Sequence, residues 1–274
     1  MKDALSPTEQ SGRWDRLEDM SPEDISAAMS ICDREAAEAV ARLSDQIGAV
    51  IRMALGRVEA GGRVFYLGAG TSGRLGILDA SEIPPTFGVN GVFIGLIAGG
   101  DGAIRQAVEG AEHDEDGGVR DLKAHHAGPE DVVVGIAASG RTPYVKGALE
   151  WARVQGIMTV AITSNPDSTM VDVAEHALVL ETGPEFVTGS TRLKAGTAQK
   201  LVLNQLSTGI MIGIGRVQGN RMVDMQLANA KLVDRGTRMV AEALDLPMDQ
   251  ARQLLTRAGS VRRAIDTFTP PEAG

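Results

Sequence analysis

The sequence predicts an α/β protein, a doubly wound parallel sheet of about five strands flanked by helices, with helical segments before and after it. Three observations predict this fold. Five short apolar runs are continuous rather than alternating, as strands buried on both faces must be. Stretches with helical spacing separate the runs, and strands that alternate with helices imply parallel crossovers. Two of the runs end in loops rich in glycine and hydroxyl residues, at the sheet edge where open parallel sheets bind ligands.

Residues 1–20 are polar and mixed and read as an arm. Ser21-Pro22-Glu23-Asp24 then supplies a helix start, with a capping hydroxyl, a proline in the first turn and acids near the positive dipole end. One long helical pattern follows through Ile47, Val50, Ile51, Ala54 and Val58 and stops at Gly61-Gly62. Residues 1–60 are thus expected to be an arm and helices packed on a core of residues 61–215.

The strands of that core are Val64 to Leu67, Val92 to Ile97, Asp131 to Ile136, Met158 to Ile162 and the weaker Ala177 to Leu180. Helical spacing lies between them at Ala103 to Glu112 and Pro143 to Gln155. After Thr191, Leu193, Thr197, Leu201 and Leu206 mark a long helix. Met222 to Leu244 reads as another, and one or two short helices run from Pro247 to Pro270-Pro271. The last part, residues 216–274, is therefore expected to be helical, with its boundary near Gly215 to Asn220.

Composition narrows the function. Hydrophobic residues make up 43%, enough apolar surface to exclude disorder as the main state. No apolar run approaches the ~20 residues of a membrane span. The net charge of −9 argues against nucleic acid as a partner, and the 3% aromatic content argues against stacking platforms. Cys32 is a lone cysteine, which excludes an internal disulfide and suits a reducing compartment. The opening Met1-Lys2-Asp3-Ala4 lacks the apolar segment of a signal peptide. A cytoplasmic protein is the expectation.

The first strand runs into Gly68-Ala69-Gly70-Thr71-Ser72-Gly73-Arg74, and the third into Ala137-Ala138-Ser139-Gly140-Arg141-Thr142-Pro143. Both contain Ser-Gly-Arg, and in both a hydroxyl residue stands where a helix begins. Free N–H groups at a helix start favour a phosphate, and hydroxyls add donors without bulk. The first loop also fits the dinucleotide pattern of three spaced glycines. However, Pro84-Pro85 interrupts its helix early, and the second strand ends in Ala98-Gly99-Gly100 before Asp101. Thr71 and Ser72 suit a monophosphate better. Tight turns without a ligand are the remaining alternative, and Arg74 and Arg141 read equally well as partners of nearby acids. His113, His125, His126 and His176 lack the spacing of a metal site, so none is expected.

Gly68 to Gly76, Leu78-Asp79-Ala80-Ser81-Glu82 and Pro84-Pro85-Thr86-Phe87-Gly88 resemble the signature of the N-acetylmuramic acid 6-phosphate etherase family, of the sugar isomerase (SIS) domain group. Gly95 to Gly100, Ala107 to Glu112, Ala137 to Val145, Thr188 to Lys194 and Asn220 to Asp234 continue the likeness, which runs from about Ser21 to Leu246. The family pattern goes on into a further small helical domain, whereas this sequence stops at Gly274, so the C-terminal helices are expected to be shortened.

The resemblance implies a homodimer that binds a phosphosugar. It implies cleavage of the D-lactyl ether of N-acetylmuramic acid 6-phosphate by elimination and hydration, with no cofactor. It assigns Glu82 as the acid that protonates departing lactate and Glu112 as the base that takes the C2 proton. An ether oxygen leaves poorly unless protonated, so one acid and one base meet the chemical need. Taken singly, Glu82 reads as a solvated turn residue and Glu112 as the end of an exposed acidic run. Glu109, one helical turn from Glu112, is the neighbour most easily confused with it. About eight helical residues after Gly73 would carry the chain about 12 Å from the ligand edge before Glu82. Either the segment doubles back or Glu82 serves a neighbouring subunit.

Ser139, Gly140, Arg141 and Thr142 form the expected phosphate loop, with Thr71 and Ser72 closing over the sugar. Lys194, at a helix start, suits an anion, and Glu185 just before it is a candidate for a sugar hydroxyl. A phosphosugar isomerase and a non-catalytic phosphosugar-binding regulator are the competing readings.

Overall fold

Five short strands, the central three buried along their whole length, pair side by side with helices packed on them. The computed structural model describes residues 6–269; the Met1-Lys2-Asp3-Ala4 opening and the Pro270-Pro271 end lie outside the described residues. The strands are β1 (Val64–Gly68), β2 (Phe93–Ile97), β3 (Val132–Ile136), β4 (Met158–Thr163) and β5 (His176–Val179), all parallel in the order β2-β1-β3-β4-β5. The chain leaves β1 for β2 on one side and returns to β3 on the other. That reversal makes the carboxyl ends of β1 and β3 the topological switch point, where a crevice opens. Register places Gly68 beside Ile136, so the two glycine-hydroxyl loops emerge as neighbours.

The helices of the sheet region are α1 (Pro22–Ala41), α2 (Ser44–Glu59), α3 (Gly70–Phe87), α4 (Gly102–Arg105), α5 (Gly117–Ala124), α6 (Pro143–Val154), α7 (Thr169–Val173) and α8 (Lys194–Gly213). β1, β3 and β4 are buried along their whole length. Leu122, Tyr144, Leu149 and Met170 from α5, α6 and α7 pack with Phe65, Leu67 and Val133 in one cluster. Each fully buried large side chain contributes about 1.5–3 kcal/mol relative to exposure. At the opposite end of the strands, the Arg63 guanidinium and main-chain N–H both bind the Asp131 carboxylate, at 2.7 to 3.1 Å. Arg63 also donates to the carbonyls of His125 and His126. This clamp fixes the start of β1 against the start of β3, one strand length from the loops.

The chain divides into two units, Met1–Ser81 with Gly91–Ile210, and Glu82–Asn90 with Met211–Gly274. The second unit holds α9 (Ala230–Leu244), α10 (Met248–Ala258) and α11 (Val261–Asp266). These helices close over Val223, Met225, Val240, Leu255 and Val261. Among the described residues, no helix is long and apolar enough to cross a membrane.

Four local expectations are corrected. The long N-terminal helix is two, because the chain turns at Arg42 and Leu43 before α2. The Ala103 to Glu112 stretch is helical only to Arg105. Gln106 is extended and Gly110 takes the left-handed conformation, which ends regular winding. Glu109 and Glu112 are therefore not on one helix. The helix read from Met222 begins at Ala230, where the Asn229 side chain accepts from the N–H of Leu232 and caps it. Finally, Pro84-Pro85 does not interrupt its helix early, since α3 runs on to Phe87. Proline holds a helical φ, and the cost of the pair falls on the carbonyls of Ala80 and Ser81, which lose their amide donors.

Candidate active site

The site is built at the carboxyl ends of β1 and β3, from two turns of different construction. In the first, α3 begins two residues after β1. Gly73 lies so close to the strand that an added Cβ would sit 2.7 Å from the Gly68 carbonyl oxygen and 2.6 Å from Ile97 Cγ1. Only glycine lets the helix start there. Thr71 is half-buried beside that start. Ser72 is buried, and its hydroxyl donates to Gln199 Oε1 on α8 at 2.9 Å. Arg74 donates to the carbonyls of Ala103 and Ile104, at 2.9 Å each, and so ties α3 to the segment after β2.

That segment carries the acids. Glu109 and Glu112 line a cavity of about 220 Å³ together with Gly70, Arg74 and Ala98. Glu112 lies in a short 3-10 turn, Ala111–His113, with its carboxylate 3.8 Å from His113 Nε2. Its side chain is 55% exposed, so it is open to a ligand entering the cavity.

In the second turn Gly140 adopts φ +65°, and an added Cβ would stand 2.3 Å from Ser168. Its neighbours hold the loop rigidly. Thr163 donates to the Ala138 carbonyl, Asn165 to that of Ser139 and Thr169 to that of Gly140. Ser139 Oγ accepts from the Arg141 N–H at 3.3 Å, which leaves its own O–H free to donate outward. Thr142 is the N-cap of α6 but makes no side-chain cap. At this start Pro143 has no N–H and Val145 donates to the Thr142 carbonyl at 3.1 Å, so the Tyr144 N–H is the donor of the first turn left for an anion. Arg141 is exposed and has no carboxylate partner among the described residues.

Lys194 occupies a contrasting place. It starts α8 but is only 3% exposed, and its ammonium reaches Glu35 at 3.0 Å, which also pairs with Arg13. Burial pushes the Lys194 ammonium below the usual lysine range. The anion at this helix start is internal. Glu185, 1% exposed, accepts the N–H groups of Lys194 and Ala195 at 2.8 and 3.0 Å. Burial raises the Glu185 carboxyl above its ordinary range, against those hydrogen bonds.

The structure thus brings Thr71, Ser139, Gly140, Arg141 and Thr142 to neighbouring strand ends and sets Glu112 in the cavity beside the first loop. Ser72 and Lys194 point to internal partners. Glu82 does not line the cavity. Ser81, the last residue of the first unit on α3, is eleven residues past Gly70, about 16 Å along the helix. Glu82 follows as an exposed residue of the second unit.

Sequence reasoning missed Gln199, Thr163 and Asn165. The last two had a signal, because Ser164-Asn165-Pro166 is a turn at the carboxyl end of the strand next to β3. Among the described residues no three His, Cys, Asp or Glu side chains gather as metal ligands.

Comparison with known proteins identifies the fold and the family. The SIS domain model matches residues 111–209, and the model of the glucokinase regulatory protein N-terminal SIS domain matches residues 46–153. A phosphoheptose isomerase from Francisella tularensis has the same fold, with TM-score 0.53 and 19% identity over 70% of this chain and 98% of its own. The N-acetylmuramic acid 6-phosphate etherase of Bacteroides thetaiotaomicron is 53% identical over 262 residues, 95% of each chain. That of Porphyromonas gingivalis is 53% identical over 268 residues, 97% of this chain and 98% of its own. With half of its residues shared along nearly all of its length, the chain belongs to the N-acetylmuramic acid 6-phosphate etherase family.

Proposed function

We propose that this protein cleaves the D-lactyl ether of N-acetylmuramic acid 6-phosphate, giving N-acetylglucosamine 6-phosphate and D-lactate. The observation that carries the reading is the placement of Glu112 in a cavity bordered by Gly70 of the β1 loop, in a chain of this family. Ser139, Gly140, Arg141 and Thr142 hold the phosphate just before α6, and Thr71 closes on the sugar. Ser72 and Lys194 support the site from behind, through Gln199 and Glu35.

With the sugar ring open, the C2 proton lies alpha to the aldehyde, and Glu112 removes it. The C3–O bond then breaks, and the departing lactate oxygen takes a proton from Glu82. Water adds across the resulting double bond, its oxygen to C3 and a proton to C2. No metal or organic cofactor enters this course. Because Glu82 is not among the residues that line the cavity of Glu112, we read it as acting in a neighbouring subunit's site, which makes a homodimer part of the reading. The setting is cytoplasmic amino-sugar catabolism and peptidoglycan recycling.

The test is D-lactate release by the purified protein. An etherase liberates D-lactate and N-acetylglucosamine 6-phosphate in equal amounts. Conversion of a hexose phosphate without lactate identifies an isomerase, and binding with no product identifies a regulator; either outcome overturns the proposal.

A further inference from the structure

We propose that Arg74 determines specificity by receiving the lactyl carboxylate in the cavity of Glu112, a proposal that rests on the etherase reading above. At about 220 Å³ the cavity is smaller than the ~300–1,000 Å³ of pockets that enclose a whole small-molecule ligand. It therefore admits a portion of a phosphosugar rather than all of it. For Glu112 to reach the C2 proton, that portion must be C2, C3 and the groups they carry. The lactyl ether on C3 is the anionic one of these, since the 2-acetamido group is neutral and the phosphate sits on C6.

Charge singles out Arg74 as the partner of that group. Glu109 and Glu112 both line the cavity, and a third carboxylate entering beside them would be repelled. Arg74 is the one cationic residue among those that line it. Its Nε and one Nη donate to the carbonyls of Ile104 and Ala103, at 2.9 Å each. These neutral acceptors fix the guanidinium without cancelling its charge, and no carboxylate pairs with it among the described residues. A guanidinium has five N–H donors, so three remain for an anion. A planar fork already held in place loses little freedom when it grips a carboxylate.

The same segment supplies an apolar wall. Gly99 takes φ +88°, and an added Cβ would stand 2.8 Å from Val108 Cβ, so glycine is what lets Val108 fold back against the end of β2. Val108, Ala103 and Ala107 then line the cavity with small apolar side chains. One carbon of the lactyl group bears both a methyl and the carboxylate. A cation and a small apolar wall in one cavity match that pair.

The probes are N-acetylmuramic acid 6-phosphate, its lactyl carboxamide and N-acetylglucosamine 6-phosphate, titrated calorimetrically into Glu112→Gln, which should hold the sugar without turnover. With Arg74 in place, the acid should bind about 10- to 100-fold more tightly than the amide, the worth of a hydrogen bond to a charged group. Adding R74Q should remove that preference and leave binding of N-acetylglucosamine 6-phosphate little changed. R74K, which keeps the charge but not the fork, should restore part of the preference. The proposal is overturned if the acid and the amide bind alike with Arg74 in place, a comparison that needs no variant at Arg74. It is also overturned if R74Q weakens all three ligands equally, which would make Arg74 only a brace between α3 and the segment after β2. Release of D-lactate by wild type without a preference for the acid overturns this proposal alone. A preference for the acid in a protein that releases no D-lactate supports the carboxylate seat and overturns the etherase reading alone.

Discussion

At the scale of single residues, the protein separates hydroxyls that face outward from those that are spent internally. Ser139 and Ser72 occupy equivalent places in two similar sequence motifs, yet only Ser139 keeps its O–H undirected, because its oxygen accepts from the Arg141 N–H. Ser72 gives its hydrogen to Gln199. The sequence echo between the loops did not show this difference, which depends on α8 arriving from more than a hundred residues away. Lys194 is a similar case: a lysine at a helix start reads as an anion ligand until Glu35 and Glu185 are seen around it. From the free hydroxyl, Ser139→Ala should weaken binding of the 6-phosphosugar by about 10- to 100-fold, the worth of one hydrogen bond to a charged group. It should leave binding of the unphosphorylated sugar little changed. Calorimetric titration with both sugars checks this; equal losses would point to folding rather than phosphate contact.

At the scale of elements, the loops are only as well placed as the strands below them. The Arg63–Asp131 clamp joins the starts of β1 and β3 through four hydrogen bonds to one carboxylate, counting that from the Gly128 N–H. Burial alone would raise the Asp131 carboxyl, but its bonds to Arg63 and Gly128 outweigh this and hold it below the usual range. A carboxyl lowered by folding stabilises the fold above its unfolded pKa near 4, and that stability is lost as pH falls through the folded value. Asp131→Ala should therefore cost about 2–3 kcal/mol at neutral pH. The difference from wild type should shrink as urea unfolding is repeated at pH below about 4. A deficit that stayed constant with pH would deny the ion pair its role.

The strands were legible because burial on both faces writes itself as continuous apolar runs. The helix ends were less so. The break at Arg42, the release of the chain after Arg105 and the late start of α9 at Asn229 are set by packing and capping, which periodicity does not record. The unbroken α3 opposed a sound local rule about proline, because both prolines sit in it with the helix running on to Phe87.

At the scale of the whole molecule, an acidic chain must hold an anionic substrate. The proposed site answers this locally, with the hydroxyls of Thr71, Ser139 and Thr142 and the Arg141 guanidinium carried on loops where the sheet's order reverses. The switch point was legible from strand spacing and the two loops alone. The roles of the glutamates were not, since Glu82 and Glu112 each look like ordinary solvated acids, and only the long motif match assigned them. The proposed chemistry therefore turns on Glu112 as the base. The most direct measurement is deuterium uptake at C2 of N-acetylmuramic acid 6-phosphate in D₂O, followed by proton NMR. Wild type should incorporate deuterium at C2 as lactate is released, whereas Glu112→Gln should bind the sugar yet exchange no C2 proton and release lactate at least about a hundredfold more slowly. Exchange at the wild-type rate in Glu112→Gln, or lactate release by wild type without deuterium at C2, would contradict it.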